Sequence, residues 1–132
     1  MSQADIETLR DVYEAVSRGD WDAAFQDAWP DFELRTPDQN PIAGTYRGSD
    51  EIRGFFDELW AAFDEVTVQP ERFLELDDRI LVDLLMQLRP SDSGAKFEMR
   101  IVHLWTMRDG RPLRCEVFTQ REQALEAVGL SQ

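Results

Sequence analysis

FEMRIVHLWTMRDGRPLRCEVFT, residues 97–119, decides the fold of this chain. Phe97, Met99, Ile101, His103, Trp105 and Met107 alternate with other side chains, the chain turns through Arg108-Asp109-Gly110, and Leu113, Cys115, Val117 and Thr119 carry the alternation back. A strand sends successive side chains to opposite faces, so these are two antiparallel strands sharing one apolar face, and that face carries a single imidazole, His103. The turn has two readings. A two-residue Asp109-Gly110 turn sets His103 opposite Glu116, whereas a three-residue loop with Gly110 left-handed sets it opposite Cys115. The second is expected, because a one-residue slip would bury Arg114 and Glu116 and expose Cys115 and Val117.

Working outward, the same period extends upstream through 66–76 and 80–88, joined at Asp77-Asp78, with a turn cluster at 90–94 before the last pair. Ile80, Val82, Leu84 and Met86 are expected inward, and Asp83, Gln87, Glu98 and Arg100 outward. The outer face also holds Leu81, Leu85, Val102, Leu104 and Phe118, an apolar patch too large to stay wet, and a homodimer through the outer sheet face is its natural cover. The N-terminal half has helical spacing instead. Ile6, Leu9, Val12, Tyr13 and Val16 share one face of a helix that opens near Ser2 and stops at Gly19. Asp20 caps a short second helix with Trp21, Ala24, Phe25 and Ala28 inward and Pro30 at its end; Ser49 caps a third, with Ile52, Phe55, Phe56, Leu59, Trp60 and Phe63 on its apolar face. Between them, 32–36 reads as a short strand ended by Pro37, and 37–48 as a loop containing Tyr46. Ala124, Leu125 and Val128 mark a short closing helix, with Gly129 as its cap. Helices first and antiparallel strands afterwards define an α+β fold class. The expectation is a single domain over residues 1–132: a curved antiparallel sheet with three N-terminal helices on one side and a short C-terminal helix.

The 132 residues, 42% hydrophobic and 11% aromatic, suffice for one core. Against 27 acidic side chains stand 14 basic ones, and the formal charge of -13 repels phosphate backbones and anionic lipid headgroups, so neither nucleic acid nor membrane is an expected partner. Cys115 is the single cysteine and forms no internal disulfide. The N-terminus lacks a basic-then-apolar signal, no apolar run reaches the roughly 18 residues of a membrane helix, and a reducing, cytoplasmic location is expected. One histidine and one cysteine make no metal-ligand set, and no glycine-rich phosphate cradle or Ser-His-Asp order occurs, so neither metal nor cofactor is expected.

Four stretches carry a family resemblance: YEAVSRGDW at 13–21, Gly44-Thr45-Tyr46-Arg47-Gly48 followed by Ile52 and Phe55-Phe56, HLWTMRDGRPLRCEVF at 103–118, and REQALEAVGL at 121–130. Over almost its whole length the chain resembles the nuclear transport factor 2-like superfamily, and within it the SnoaL-like group of polyketide cyclase and ketosteroid isomerase relatives. The resemblance implies a cone, a cystatin-like roll, in which helices and a strongly bent sheet enclose an apolar pocket, usually in a dimer. It is nearly silent on activity. By this resemblance the isomerase's general-base aspartate falls on Thr36, its oxyanion tyrosine on Val12, and its second oxyanion acid on His103. A threonine does not abstract a carbon-bound proton at neutral pH, so steroid isomerisation by that route is not implied. The arginine and two aspartates of the family's epoxide hydrolases find no inward match, and Gln120 stands where the family frequently has an aspartate.

His103 is therefore the candidate catalytic residue. Burial would lower its pKa and keep the ring neutral, able to polarise a carbonyl or accept a substrate proton; the alternative is a scaffold histidine satisfied by a hydroxyl or carbonyl. Candidate ligand contacts are Trp29, Phe55, Leu59, Trp60 and Trp105 as a flat apolar wall, Met86 and Met99 as adaptable lining, Thr36 near the mouth, Tyr46 on a closing loop, and Cys115 as an inert thiol facing the pocket. Core packing for the aromatics and methionines, and a backbone clasp for Thr36 or Tyr46, are the alternatives. Two functions stay open: an isomerase- or cyclase-like enzyme acting on a small apolar carbonyl-bearing or cyclic metabolite through His103, or a non-catalytic dimeric module whose cavity is filled.

Overall fold

The helical spacing of the N-terminal half becomes α1 (Ser2–Ser17) and α2 (Trp21–Phe25), followed by β1 (Glu33–Arg35), β2 (Thr45–Arg47) and α3 (Gly48–Ala61). The alternating half becomes β3 (Phe63–Leu76), β4 (Arg79–Pro90), β5 (Phe97–Arg108) and β6 (Arg111–Phe118), and the chain closes with α4 (Arg121–Ala127). The computed structural model describes residues 2–36, 44–91 and 95–129; parts of the loop expected at 37–48 and of the turn cluster at 90–94 lie outside them. No helix among the described residues is long and apolar enough to cross a membrane.

Local chemistry explains the helix ends. Gly19, at φ +73°, ends α1 with a pair of reversed hydrogen bonds, Gly19 N–H to Val16 O at 2.9 Å and Asp20 N–H to Ala15 O at 2.9 Å. The Asp20 carboxylate then accepts from Ala23 N–H at 3.1 Å and starts α2. Helix α3 begins at Gly48 rather than at a Ser49 cap: Gly48 turns at φ +79°, and Glu51 reaches back to accept from Arg47 N–H at 2.9 Å. Tyr46 also departs from expectation, because Thr45–Arg47 is a strand paired antiparallel with β1 and not loop.

The six strands form one open, curved sheet in the order β2-β1-β6-β5-β4-β3. It is not wholly antiparallel. β1 lies parallel to β6, Leu34 beside Cys115, since α3 and four strands intervene and give the chain room to cross over. Bulges at Asp64 and Glu71 break the β3 ladder and help to bend the sheet. The β1–β6 border is stitched on its outer side by Glu33, whose carboxylate takes Arg35 Nε at 2.7 Å, Arg47 Nε at 2.6 Å and Arg114 Nε at 3.2 Å. Burial alone would raise the Glu33 pKa, but Arg47 and Arg35 outweigh it and hold it below the usual carboxylate value.

The register of β5 on β6 differs from both sequence readings. The turn is the two-residue Asp109-Gly110, with φ of +53° and +74°, as a tight hairpin with two left-handed residues requires. A bulge then leaves Leu113 unpaired, so that Met107 faces Pro112 while Thr106 faces Arg114, and His103 lies opposite Val117 rather than Cys115 or Glu116. One extra residue in the strand does what one extra residue in the loop was expected to do. Cys115 and Val117 stay on the inner face, and Arg114 and Glu116 stay out.

Helices α1, α2 and α3 pack on the inner face, where Leu9, Val12, Ile52, Val82, Leu84 and Trp105 belong to one buried core. Helix α4 takes the other face, not the same side as the rest. Its Ala124 and Leu125 form a second core with Leu81, Val102 and Leu104, flanked by Phe118 and Val128. Arg121, the first residue of α4, binds Asp83 at 3.2 Å, and Arg72 binds the other oxygen of the same carboxylate at 3.1 Å. Much of the outer patch that suggested a second copy is thus covered from within the chain, which leaves Leu85 half-buried and Leu74 exposed.

Deletion of Leu113 tests the bulge. Removing it joins Pro112 directly to Arg114 in a regular ladder that keeps Thr106 opposite Arg114 and Trp105 opposite Cys115, so the variant is expected to retain cooperative unfolding in urea followed by far-ultraviolet circular dichroism; loss of the cooperative transition would contradict the bulge's role as a one-residue spacer between turn and ladder.

Candidate functional site

Between the inner face of the sheet and α1 and α3 lies a cavity of about 230 Å³. β5 supplies its long wall, running from a rim where Phe97 and Met99 are 45% and 41% exposed to a floor at Trp105, which is 2% exposed. Phe55, Phe56, Leu59 and Trp60 of α3 face it from one side, and Val12, Tyr13 and Val16 of α1 from another. Among the described residues that line it there is no aspartate, glutamate, lysine or arginine. No group of three or more potential metal-ligating side chains occurs among the described residues.

Besides the Thr36 and Thr119 hydroxyls and the Cys115 thiol, the polar content of its described lining is a short chain of groups across the floor. The Trp105 indole N–H donates to the Tyr13 hydroxyl at 2.7 Å, and that hydroxyl lies 2.9 Å from His103 Nδ1. The Tyr13 and His103 rings are near parallel, at 24° and 5.7 Å, and Trp105 meets Tyr13 edge-on. Burial pushes the His103 pKa down to about 3, so its ring is neutral at physiological pH; the surface it keeps faces the cavity. Burial, and then the neighbouring Cys115, push Tyr13 well above the ordinary phenol value against the opposing hydrogen bond from Trp105. Burial, and then Glu116, likewise raise the Cys115 thiol, which leaves it protonated and a poor nucleophile.

The residues singled out in the sequence distribute as follows. His103, Thr36, Phe55, Leu59, Trp60, Met86, Met99, Trp105 and Cys115 all line the cavity. The Thr36 hydroxyl is engaged by its own strand end, accepting from Gly44 N–H at 2.9 Å and donating to Gly44 O at 3.2 Å. Trp29 and Tyr46 do not line it. Trp29 clasps the β5–β6 hairpin from outside: its indole N–H donates to Arg108 O at 2.9 Å, the Arg111 guanidinium stacks 4.4 Å from its ring, and the residue borders a separate cleft of about 320 Å³ between α2 and the start of α3. Tyr46 is turned onto Phe55, ring to ring at 4.8 Å, because β2 holds it in the sheet. Tyr13 was missed as a site residue, although its place on the inward face of α1 and its hydroxyl were legible signals. It stands one position from Val12, to which the isomerase tyrosine maps. Phe56 and Phe63, read as core, also line the cavity.

The SnoaL-like domain family matches residues 9–114. An uncharacterized protein of Mycobacterium tuberculosis H37Rv is 30% identical over 125 residues, covering 94% of this chain and 95% of that protein. Among solved structures, TerC co-crystallized with polyporic acid superimposes with a TM-score of 0.80 at 25% identity, covering 96% of this chain and 98% of TerC. An NTF2-like protein of unknown function from Burkholderia pseudomallei K96243 does so with a TM-score of 0.80 at 25% identity, covering 97% of this chain and 98% of that one. The chain belongs to the SnoaL-like domain family, within the NTF2-like fold.

The depressed His103 pKa has a stability consequence with a definite sign. From pH 6.5 down to about 3 the unfolded chain binds a proton at His103 that the folded chain does not, so this contribution is complete above pH 6.5 and is lost on acidification. Between pH 6.5 and 5 the loss amounts to about 2 kcal/mol. Urea unfolding of the wild type and His103→Phe over this range is expected to show the slope in the wild type only; equal slopes would contradict a desolvated imidazole.

Proposed function

We propose that this protein is a small-molecule pocket protein of the SnoaL-like type, taking a largely apolar, carbonyl-bearing or cyclic metabolite into the cone and engaging its polar atom through His103 in an isomerase- or cyclase-like role. One observation carries this reading: the apolar cavity contains one imidazole whose Nδ1 is occupied by Tyr13, while Nε2 has no partner among the described residues. Its volume lies between the roughly 150 Å³ that holds a benzene and the roughly 300 Å³ at which drug-sized sites begin, which suits a ligand of one or two rings. A relative crystallised with a small organic molecule, TerC with polyporic acid, is in keeping with it.

A second reading, a non-catalytic dimeric module, is favoured by a different observation. A neutral imidazole, a threonine hydroxyl held by backbone and no carboxylate leave the described lining of the cavity without a strong base. In the first reading the partner is a small apolar molecule; in either, a second copy would sit on the outer sheet face at Leu74 and Leu85, and a reducing cytoplasmic setting suits the free thiol.

Titration with 1-tetralone, followed by tryptophan fluorescence and isothermal calorimetry, tests the pocket. Saturable binding is expected, weakened about three- to tenfold in His103→Phe, the equivalent of one net hydrogen bond. Absence of saturation in the folded wild type would sink the reading. Turnover lost in His103→Phe with ordinary folding would assign the enzyme role, and retained binding without turnover the module.

A further inference from the structure

We infer that Tyr13 is a specificity-determining positioning residue: by donating its hydroxyl proton to His103 Nδ1 it holds the imidazole as the Nε2–H tautomer, so that the cavity presents a fixed hydrogen-bond donor and selects uncharged ligands bearing an acceptor oxygen. This rests on the pocket reading above and adds the direction of its polarity.

An indole N–H only donates, so the Tyr13 oxygen is an acceptor towards Trp105 at 2.7 Å. Tyr13 is 2% exposed, and its own proton needs an acceptor or it stays buried and unsatisfied. Among the described residues the acceptor in reach is His103 Nδ1 at 2.9 Å. Accepting there leaves Nδ1 without a proton, and a neutral imidazole then carries its proton on Nε2. Protonation of the ring, which would erase the distinction, is suppressed by its burial. Tyr13 comes from α1 and His103 from β5, and their near-parallel rings fix the direction of the donor.

The consequence for ligands follows from what else the cavity lacks. A carboxylate would enter an apolar space with no lining cation among the described residues, under the field of a chain of charge -13. A ligand with only donors would meet the Nε2–H head-on. A ketone, ester or ether oxygen completes the relay Trp105, Tyr13, His103, ligand, each group donating to the next.

The protein has one histidine, so the tautomer can be read directly. In protein labelled with ¹⁵N-histidine at pH 7, proton–nitrogen correlation is expected to show Nδ1 as the unprotonated nitrogen and Nε2 as the protonated one; the reverse assignment overturns the inference whatever binds. In binding, 1-tetralone is expected to exceed its acceptor-free isostere tetralin about three- to tenfold, and 1-naphthoate to fall below both. Equal affinities for tetralone and tetralin overturn the donor role while leaving the pocket standing. If neither neutral probe binds, the pocket reading fails and the specificity claim with it, although the tautomer is still measured. Tyr13→Phe is expected to mix the tautomers and bring the tetralone-to-tetralin ratio towards one, while a folded Tyr13→Phe protein with an unchanged nitrogen spectrum would remove Tyr13 from the assignment.

Discussion

The phase of β6 against β5 is the constraint on which the rest of the molecule depends. A strand has only two faces, and at the centre of this sheet both are buried, with Trp105 and Val82 towards the cavity side and Leu104 and Leu81 beneath α4. A tight Asp109-Gly110 turn by itself sets the two strands one residue out of step with that demand. The unpaired Leu113 restores the step within a few residues of the turn, so that Cys115 and Val117 reach the cavity while Arg114 stays among the outer carboxylates. Two charged side chains would otherwise enter an apolar interior, a cost far above that of an interrupted ladder.

With the phase set, the cavity acquires its chemical character by exclusion. Of twenty-seven acidic side chains, none is among its described lining residues. The polar atoms at its floor form a closed sequence of donors and acceptors, indole to hydroxyl to imidazole, so that Tyr13 is satisfied although almost wholly buried. Desolvation keeps the ring uncharged, and the tyrosine occupies one of its nitrogens. What is left at the floor is one polar edge set among apolar side chains, a geometry suited to orienting a ligand.

Membership in the SnoaL-like family says which cup this is. Thr36, on which the resemblance sets the isomerase's base, has its hydroxyl committed to Gly44. Arg100, which would have to turn inward for the epoxide hydrolase pattern, lies outside, paired with Glu71 at 3.2 Å. The family's architecture persists at 25% identity because burial patterns tolerate substitution, whereas the reacting groups occupy only a few positions and can be exchanged without disturbing the core.

The strands β3 to β6, the three leading helices, the inward set of β4 and β5, and the presence of one imidazole on an apolar wall were all determined by sequence alone, because hydrophobic period and capping chemistry act over a few residues. β2 escaped that reading, since a three-residue strand beyond a proline-rich stretch has too little pattern to register. Tertiary structure decided the parallel seat of β1 on β6, the bulge at Leu113, the side of the sheet that α4 takes, and the removal of Trp29 from the pocket to the hairpin. It also decided the partner of His103. Tyr13 and His103 are 90 residues apart, and no local pattern specifies which side chain from α1 meets which from β5; only the packed helix on the bent sheet brings their two polar atoms to 2.9 Å.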